Sequence, residues 1–468
     1  MDACTVAAGL WGGLGGDPAA LDRLTVTGPA HALPSVFPVT AAAAGAVSAA
    51  TMAAAELWRV RGAPAKPVAV DTRHAALACL SERFTEVVGQ ERHDIWGPVS
   101  GTYATRDGWI RLHAVFRRHR EAALRALGVS EADAVADRDV VRTAVAHWDA
   151  AALEETVYRE GGCAGALRSI EQWRTSPQAA VVTAQPLVGL TPLGRSDGTH
   201  AVSGELDRPL RGMRILDLTR VIAGPVAARF LAAYGAEVLR IDAPTSDDEP
   251  QLVTDTVVGK RSASLDFHLD DDRRRFDALV RKADAVLCAY RPGALEELGY
   301  DPASLASLRP GLVVGVLSAY GGVGPWGTRR GFDSLVQMTT GLAEAGRHAA
   351  GAEMPVPLPC QLLDHATGYL LAAGVIAGLT RRTAASRGGG WLVQASLART
   401  SCWLEGLGRS GSVDVDAPPT DLPEDLTVDL HGPLGHSRHI ACPGCIIGAA
   451  PHYTTAPIPL GQDDPHWL

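Results

Sequence analysis

Several things are scarce in this chain. Aromatic residues make up 5% of its 468 positions, while alanine and glycine are used heavily. Positive charge is in deficit, with 43 Lys and Arg against 52 Asp and Glu, a formal net charge of −9. That balance argues against a nucleic-acid binder, which carries a basic domain or stripe, but leaves room for an anionic ligand in a local basic cleft. Eight cysteines scattered through so long a chain suggest no disulfide framework, so reduced, cytoplasmic thiols are the expectation. The opening MDACTVAAGLWGGLGGDP has no basic n-region, and no signal peptide is read there. Residues 39–55 are mostly alanine, weakly apolar, and run into Glu56 and Arg59, which predicts a packed helix and no membrane span. No H-E-x-x-H pair occurs.

What is present is enough chain for two or three domains with well-buried cores. Residues 1–85 hold a glycine- and proline-rich lead-in, an alanine-rich helix at 39–60 and a short strand, PVAVD. Residues 86–191 contain alternating residues around an Asp-Gly turn, GTYATRDGWIRLHAVF, then helical segments at about 117–127, 138–160 and 166–175; this predicts a small α+β domain. Residues 192–208 read as a polar, glycine-containing linker. Over 209–407, strands RILDL, AEVLRI, SASLDF, AVLCAY and LVVGVLS alternate with helices. That order predicts an α/β fold with a doubly wound, mostly parallel, Rossmann-like sheet. Residues 408–468 are loop-rich and expected to pack on the large domain.

The segment PLPCQLLDHATGYLLAAGVIAGLTRR, residues 357–382, is apolar on every face and so predicts a buried helix. It carries one carboxylate, Asp364. At such an address a carboxylate serves either as an N-cap or as a chemical group. His365 beside it makes no catalytic pair by spacing, because helical neighbours point about 100° apart. The segment also aligns with residues 39–71: Gly45 falls on Gly368, Arg59 on Arg382, Val68 on Val393, and Ala41 takes the place of Asp364. This pattern suggests a duplicated unit with one site retired.

Two motifs are set aside. Gly322-Val-Gly324-Pro-Trp-Gly327 satisfies G-x-G-x-x-G but opens no regular helix, so no NAD or FAD site is expected. His436, His439, Cys442 and Cys445 lie three apart, too close to form a zinc tetrahedron easily, and no metal is expected.

The ordered motifs LRGMRILDLTRVIAGP (210–225), YGAEVLRIDAP (234–244), GKRSASLD (259–266), ADAVLCAYRPGAL (283–295), SAYGGVGP (318–325) and RGFDSLVQ (330–337), closed by the segment around Asp364, resemble the family III CoA-transferases. This group includes carnitine and formyl-CoA transferases and α-methylacyl-CoA racemase. Residues 95–190, with DGWI and Glu171-Gln-Trp173, are similar to the family's small domain, although there it follows the sheet domain and here it precedes it. The resemblance implies that Asp364 is the nucleophile that takes CoA from an acyl-CoA, and that Asp333 is an acidic site residue, its alternative being a helix N-cap. It implies CoA contacts at Val221, Ala223, Lys260, Arg291, Pro292 and Arg330. Ile222, Ala289 and Glu297 depart from the family pattern, and Phe332 stands where the racemases keep a histidine. The implied substrates are an acyl-CoA and a small carboxylic acid, with no permanently bound cofactor. The alternatives are a retired CoA-binding or assembly subunit and, less favoured, an acyl-CoA racemase. The assembly is expected to be a monomer with an internal pseudo-dimer, or a homodimer, with no nucleic acid and no membrane as partner.

Overall fold

The computed structural model describes residues 1–91, 95–194, 206–385, 389–410 and 415–468. Most of the expected linker, residues 195–205, lies outside these. The chain is mixed α/β, built on a seven-stranded sheet: β1 (Gly189–Leu193), β2 (Arg214–Leu218), β3 (Glu237–Asp242), β4 (Arg261–Ser264), β5 (Ala285–Cys288), β6 (Val313–Ser318) and β7 (Gly390–Ser396). Its strand order is β4-β3-β2-β5-β6-β7-β1, and all pairings are parallel except that of β1 with β7. Of β1, residues 189–191 were expected to belong to the small domain and 192–193 to the linker. Its Pro192 suits the place it takes, since proline cannot donate to a ladder and is tolerated on an edge strand. Successive side chains of the sheet face opposite ways. Ile215, Leu287 and Val313 join one core cluster, while Leu216, Val286 and Val314 join another with Phe276 and Leu305.

Four helices are central to the packing: α1 (Val39–Val60), α2 (Ala223–Ala233), α3 (Asp333–Thr339) and α4 (Leu362–Ala384). α4 is buried along nearly its whole length between the sheet, α2 and α1. α1 and α4 are long and apolar enough to cross a bilayer, but both are enclosed by protein. Gly368 sets the spacing at the α4–α2 contact: a Cβ there would lie 2.5 Å from the Ala223 carbonyl oxygen. At the far end Arg382 is buried, donating to Asp284 at 2.7 Å.

Residues 101–104, 109–112 and 164–166 form a small antiparallel sheet with its own core. The helix expected over 138–160 is split into Arg138–Ala146 and Ala150–Arg159. Its break comes where the Asp149 carboxylate is taken by Arg106, at 2.9 and 2.7 Å, and makes no cap bond of its own. This small unit sits on α3: the Arg168 N–H donates to the Met338 carbonyl at 3.0 Å, and the His113 ring lies on Phe332.

The N-terminal stretch, in which no element was expected before residue 39, forms a helix over Ala3–Gly13 and a strand over Leu24–Thr27. The C-terminal segment holds a hairpin, Thr427–Gly432 with Gly435–Ile440, that pairs with Glu86–Val87, and Cys445–Ile446 pairs with the strand at 68–71. It therefore packs on the N-terminal part as well as on the large domain, where the Trp467 indole donates to the Leu279 carbonyl of the helix over Asp270–Val280.

Candidate active site

The strand order reverses between β2 and β5, and the chain leaves both strands at their carboxyl ends to make a cleft. After β2 the turn must be sharp. Val221 holds φ at 71°, a left-handed conformation that a β-branched residue adopts only under constraint. The constraint comes from behind. Thr219 donates to Asp217 at 2.5 Å, Asp217 accepts from Lys260 at 2.7 Å, and Lys260 also donates to the Pro225 carbonyl at 3.1 Å. Burial pulls the Lys260 ammonium down to about 8 despite that partner. Lys260 thus braces the turn and α2 from inside, and it lines neither of the two cavities that flank Asp364.

Asp364 is the third residue of α4, where a capping carboxylate would accept first-turn N–H groups. No hydrogen bond to its carboxylate is found among the described residues. The N–H groups of Leu363 and Asp364 are taken instead by Asp333, which accepts from Asp364 at 3.0 Å and from the Gln337 amide. Asp333 therefore caps α4, although it opens α3, and Asp364 is left facing open space. Burial is the main cause that lifts Asp333 to about 6. Burial, and then the neighbouring Asp333, push Asp364 well above the usual carboxylate range. His365 points the other way, as its spacing predicts, and its Nε2 donates to buried Glu82 at 3.1 Å. Burial disfavours its charge, but the Glu82 bond carries it up to about 8.

Asp364 stands between two cavities. The first, about 320 Å³, is lined by five arginines: Arg118, Arg220, Arg291, Arg329 and Arg330. Arg220 pairs with Asp247 and Asp248, Arg329 with Glu155, and Arg291 with Glu297 at 2.9 Å. Arg118 and Arg330 have no ion-pair partner among the described residues. The second, about 330 Å³, is walled by Ile95, Trp96, Val115, Leu252 and other apolar groups, with the charged or titratable His113, Glu82, Arg83 and Asp333 and the polar Gln251, Ser334 and Gln361. Phe116, Val221, Ile222, Phe332 and Asp364 line both. A third cavity of about 330 Å³ continues from the first past Tyr290, Arg291 and Pro292.

Residues 210–407 match the profile of CoA-transferase family III. That segment belongs to the family. A probable fatty acyl-CoA transferase of Mycobacterium tuberculosis is 37% identical over 188 residues, which are 37% of this chain and 47% of that protein. An acetyl-coenzyme A transferase of Hypoxylon pulicicidum is 33% identical over 201 residues, 42% of this chain and 34% of that one. Mouse succinyl-CoA:glutarate CoA-transferase is 31% identical over 195 residues, 39% of this chain and 44% of that one. A crystal structure of the M. tuberculosis protein shares 35% identity, covering 42% of this chain and 56% of that one with a TM-score of 0.39. The chain spans about half, or less, of the length of these curated relatives.

Within the family segment and its surroundings, the structure gathers most of the expected site residues. Asp364, Val221, Ala223, Arg291, Pro292 and Arg330 line the first cavity, and Asp333 lines the second; Lys260 stands apart. Of the departures, Ile222 lines both cavities, Ala289 the first, and Glu297 holds Arg291. Sequence reasoning missed Arg118, Arg220 and Arg329 in the first cavity, and Glu82 and His113 in the second. Two signals pointed that way: the basic run Arg117-Arg118-His119-Arg120 at a helix start, and the paired Arg329-Arg330.

Proposed function

We propose that this chain is a family III CoA-transferase that moves CoA from an acyl-CoA thioester to a carboxylic acid, with Asp364 as nucleophile. The observation that carries this is the placement of an uncapped, buried carboxylate at the junction of an arginine-lined cavity and an apolar one. The first cavity suits the phosphates of CoA and the second suits the acyl group. The sheet is read as a doubly wound, Rossmann-like arrangement, in which ligands lie outside the carboxyl ends of the strands where the order reverses.

The Asp364 carboxylate attacks the thioester carbonyl, the C–S bond breaks, and a mixed anhydride and CoA thiolate form. The thiolate then attacks the aspartyl carbonyl of the anhydride, releasing the donor acid and leaving an aspartyl-CoA thioester. The acceptor carboxylate attacks that thioester, expelling the thiolate and forming a second anhydride. Attack by the thiolate on the acceptor carbonyl yields the new acyl-CoA and frees Asp364. The N–H groups at the start of α2, beside Ala223, are the candidate donors to the oxyanions. CoA enters as a substrate, and no resident cofactor or metal is invoked.

The duplicated-unit reading extends to the helices. Ala41 is the third residue of α1 as Asp364 is of α4. A Cβ at Gly45 would lie 2.3 Å from Val6 of the helix over Ala3–Gly13, as one at Gly368 would press on α2. We take residues 1–85 as a partial second copy without the nucleophile, 86–191 as the small domain and 192–208 as the linker, except that β1 (189–193) joins the large sheet, 209–407 as the CoA-binding domain and 408–468 as a clasp. The working location is the cytoplasm.

The test is trapping. The purified chain is incubated with several acyl-CoA donors and then hydroxylamine, with the Asp364 peptide followed by mass. Donor-dependent hydroxamate at Asp364 is expected. A chain that binds CoA but never forms the adduct would be a CoA-binding subunit instead.

A further inference from the structure

The cavity on the far side of Asp364 has a distinctive charge pattern. Its cations are already matched: His365 behind it is bonded to Glu82 at 3.1 Å, and Arg83 at its rim lies 4.0 Å from the same carboxylate. Asp333 and Asp364 add two further carboxyl groups to the wall. Beside the neutral donors Gln251, Ser334 and Gln361, the remaining ionisable group that could meet an anion is His113, which is 6% exposed. Its ring is stacked on Phe332, with centroids 3.6 Å apart and planes 3° from parallel, and Trp96 meets it edge-on at 5.8 Å. Its Nδ1 is sealed in without a partner. A buried N–H without an acceptor is costlier than a buried lone pair, so the proton belongs on Nε2 and the ring is neutral. Burial, which holds its pKa well below 6.5, agrees. Gln251, Ser334 and Gln361 add uncharged polar groups, and the apolar part of the wall is flat: Trp96, Phe116 and Phe332, with Ile95 and Leu252. The volume of about 330 Å³ has room for about ten heavy atoms at water's share of about 30 Å³ each.

On the reading of this site as a CoA-transferase centre, we infer that the second cavity is an acyl subsite for uncharged, apolar acyl groups, aromatic or branched, and that it excludes acyl groups bearing a second carboxylate. Such a carboxylate would be buried beside Asp333 and Asp364 with no spare cation to meet it, and an unmatched buried charge is strongly disfavoured. Flat rings on two sides favour an aromatic guest through offset or edge contacts.

The test is calorimetry with CoA itself and two thioethers that cannot transfer, S-phenethyl-CoA and S-(3-carboxypropyl)-CoA. The phenethyl compound is expected to bind at least about tenfold tighter than the carboxypropyl compound. Gln251→Arg places a cation on the wall at a half-buried position, and is expected to narrow that gap about tenfold by improving the carboxypropyl compound alone. Trp96→Ala is expected to weaken only the phenethyl compound. Equal affinities, or tighter carboxypropyl binding, with CoA still bound would overturn the inference and leave the transferase reading standing. Failure to bind CoA or either thioether would overturn both.

Discussion

Asp364 and Asp333 share a buried junction in which ionising one hinders the other, so the pair titrates together. Both folded-state values lie above the ordinary carboxylate value. Protonation of these groups therefore favours the fold at low pH, and that contribution is lost as pH rises through the raised values. On the proposed mechanism activity runs the other way, because attack needs the carboxylate. Transfer should rise with pH through the region around 6 and above, as measured by kcat/KM against pH. A flat profile between about pH 5 and pH 8 would remove Asp364 from the chemistry. Asp364→Asn should abolish adduct formation and raise Tm by several degrees near pH 8, with the gain shrinking toward pH 4 as the wild-type group becomes neutral too. Glu82→Ala should be strongly destabilising, by about 3–5 kcal/mol, because it leaves His365 buried without its partner. Chemical denaturation measures that directly.

The α4–α2 contact and the turn after β2 are the elements on which the site depends. A Cβ at Gly368 would meet backbone, the Ala223 carbonyl, which cannot swing aside as a side chain could. Gly368→Ala should therefore cost about 1–3 kcal/mol of stability and displace both Val221 and Asp364. A fall in CoA affinity larger than the stability loss alone explains is expected by calorimetry, and an unchanged affinity would show that the helix spacing is irrelevant to the site. The turn itself stores strain at Val221. Val221→Gly relieves about 1–3 kcal/mol of it while adding unfolded-state freedom. Its stability should come out level with or above wild type, whereas most Val→Gly changes are destabilising.

At the scale of the molecule, we propose that the parts make up one site. One sheet domain carries Asp364, one small unit supplies Phe116, Arg118 and His113, and α1 supplies a helix with Ala41 at the matching position. We expect one CoA per chain, bound between the small unit and the sheet near Arg291. Calorimetry combined with solution mass tests this, and two CoA per chain, or binding only by an obligate dimer with its site between chains, would refute it.

The alternation of strands and helices over 209–407, the all-apolar helix around Asp364 and the ordered motifs were legible in the sequence because each is a local pattern: period, turn residue and spacing. So was His365 pointing away from Asp364, which helical geometry alone dictates. What local pattern cannot carry is which distant groups meet. Lys260 looked like a ligand contact, yet it is a brace, because its partners Asp217 and Pro225 come from two other elements. Asp333 reads from sequence either as an acidic site residue or as a cap for its own helix, yet the helix it caps is α4, an assignment made by the packing of α3 on α4. Arg118 and Arg220 lie 102 residues apart in number and share one cavity wall. Sequence carries short-range periodicity and turn chemistry, while side-chain convergence is set by long-range packing of apolar faces, and that is why only the tertiary structure decided the charges around Asp364.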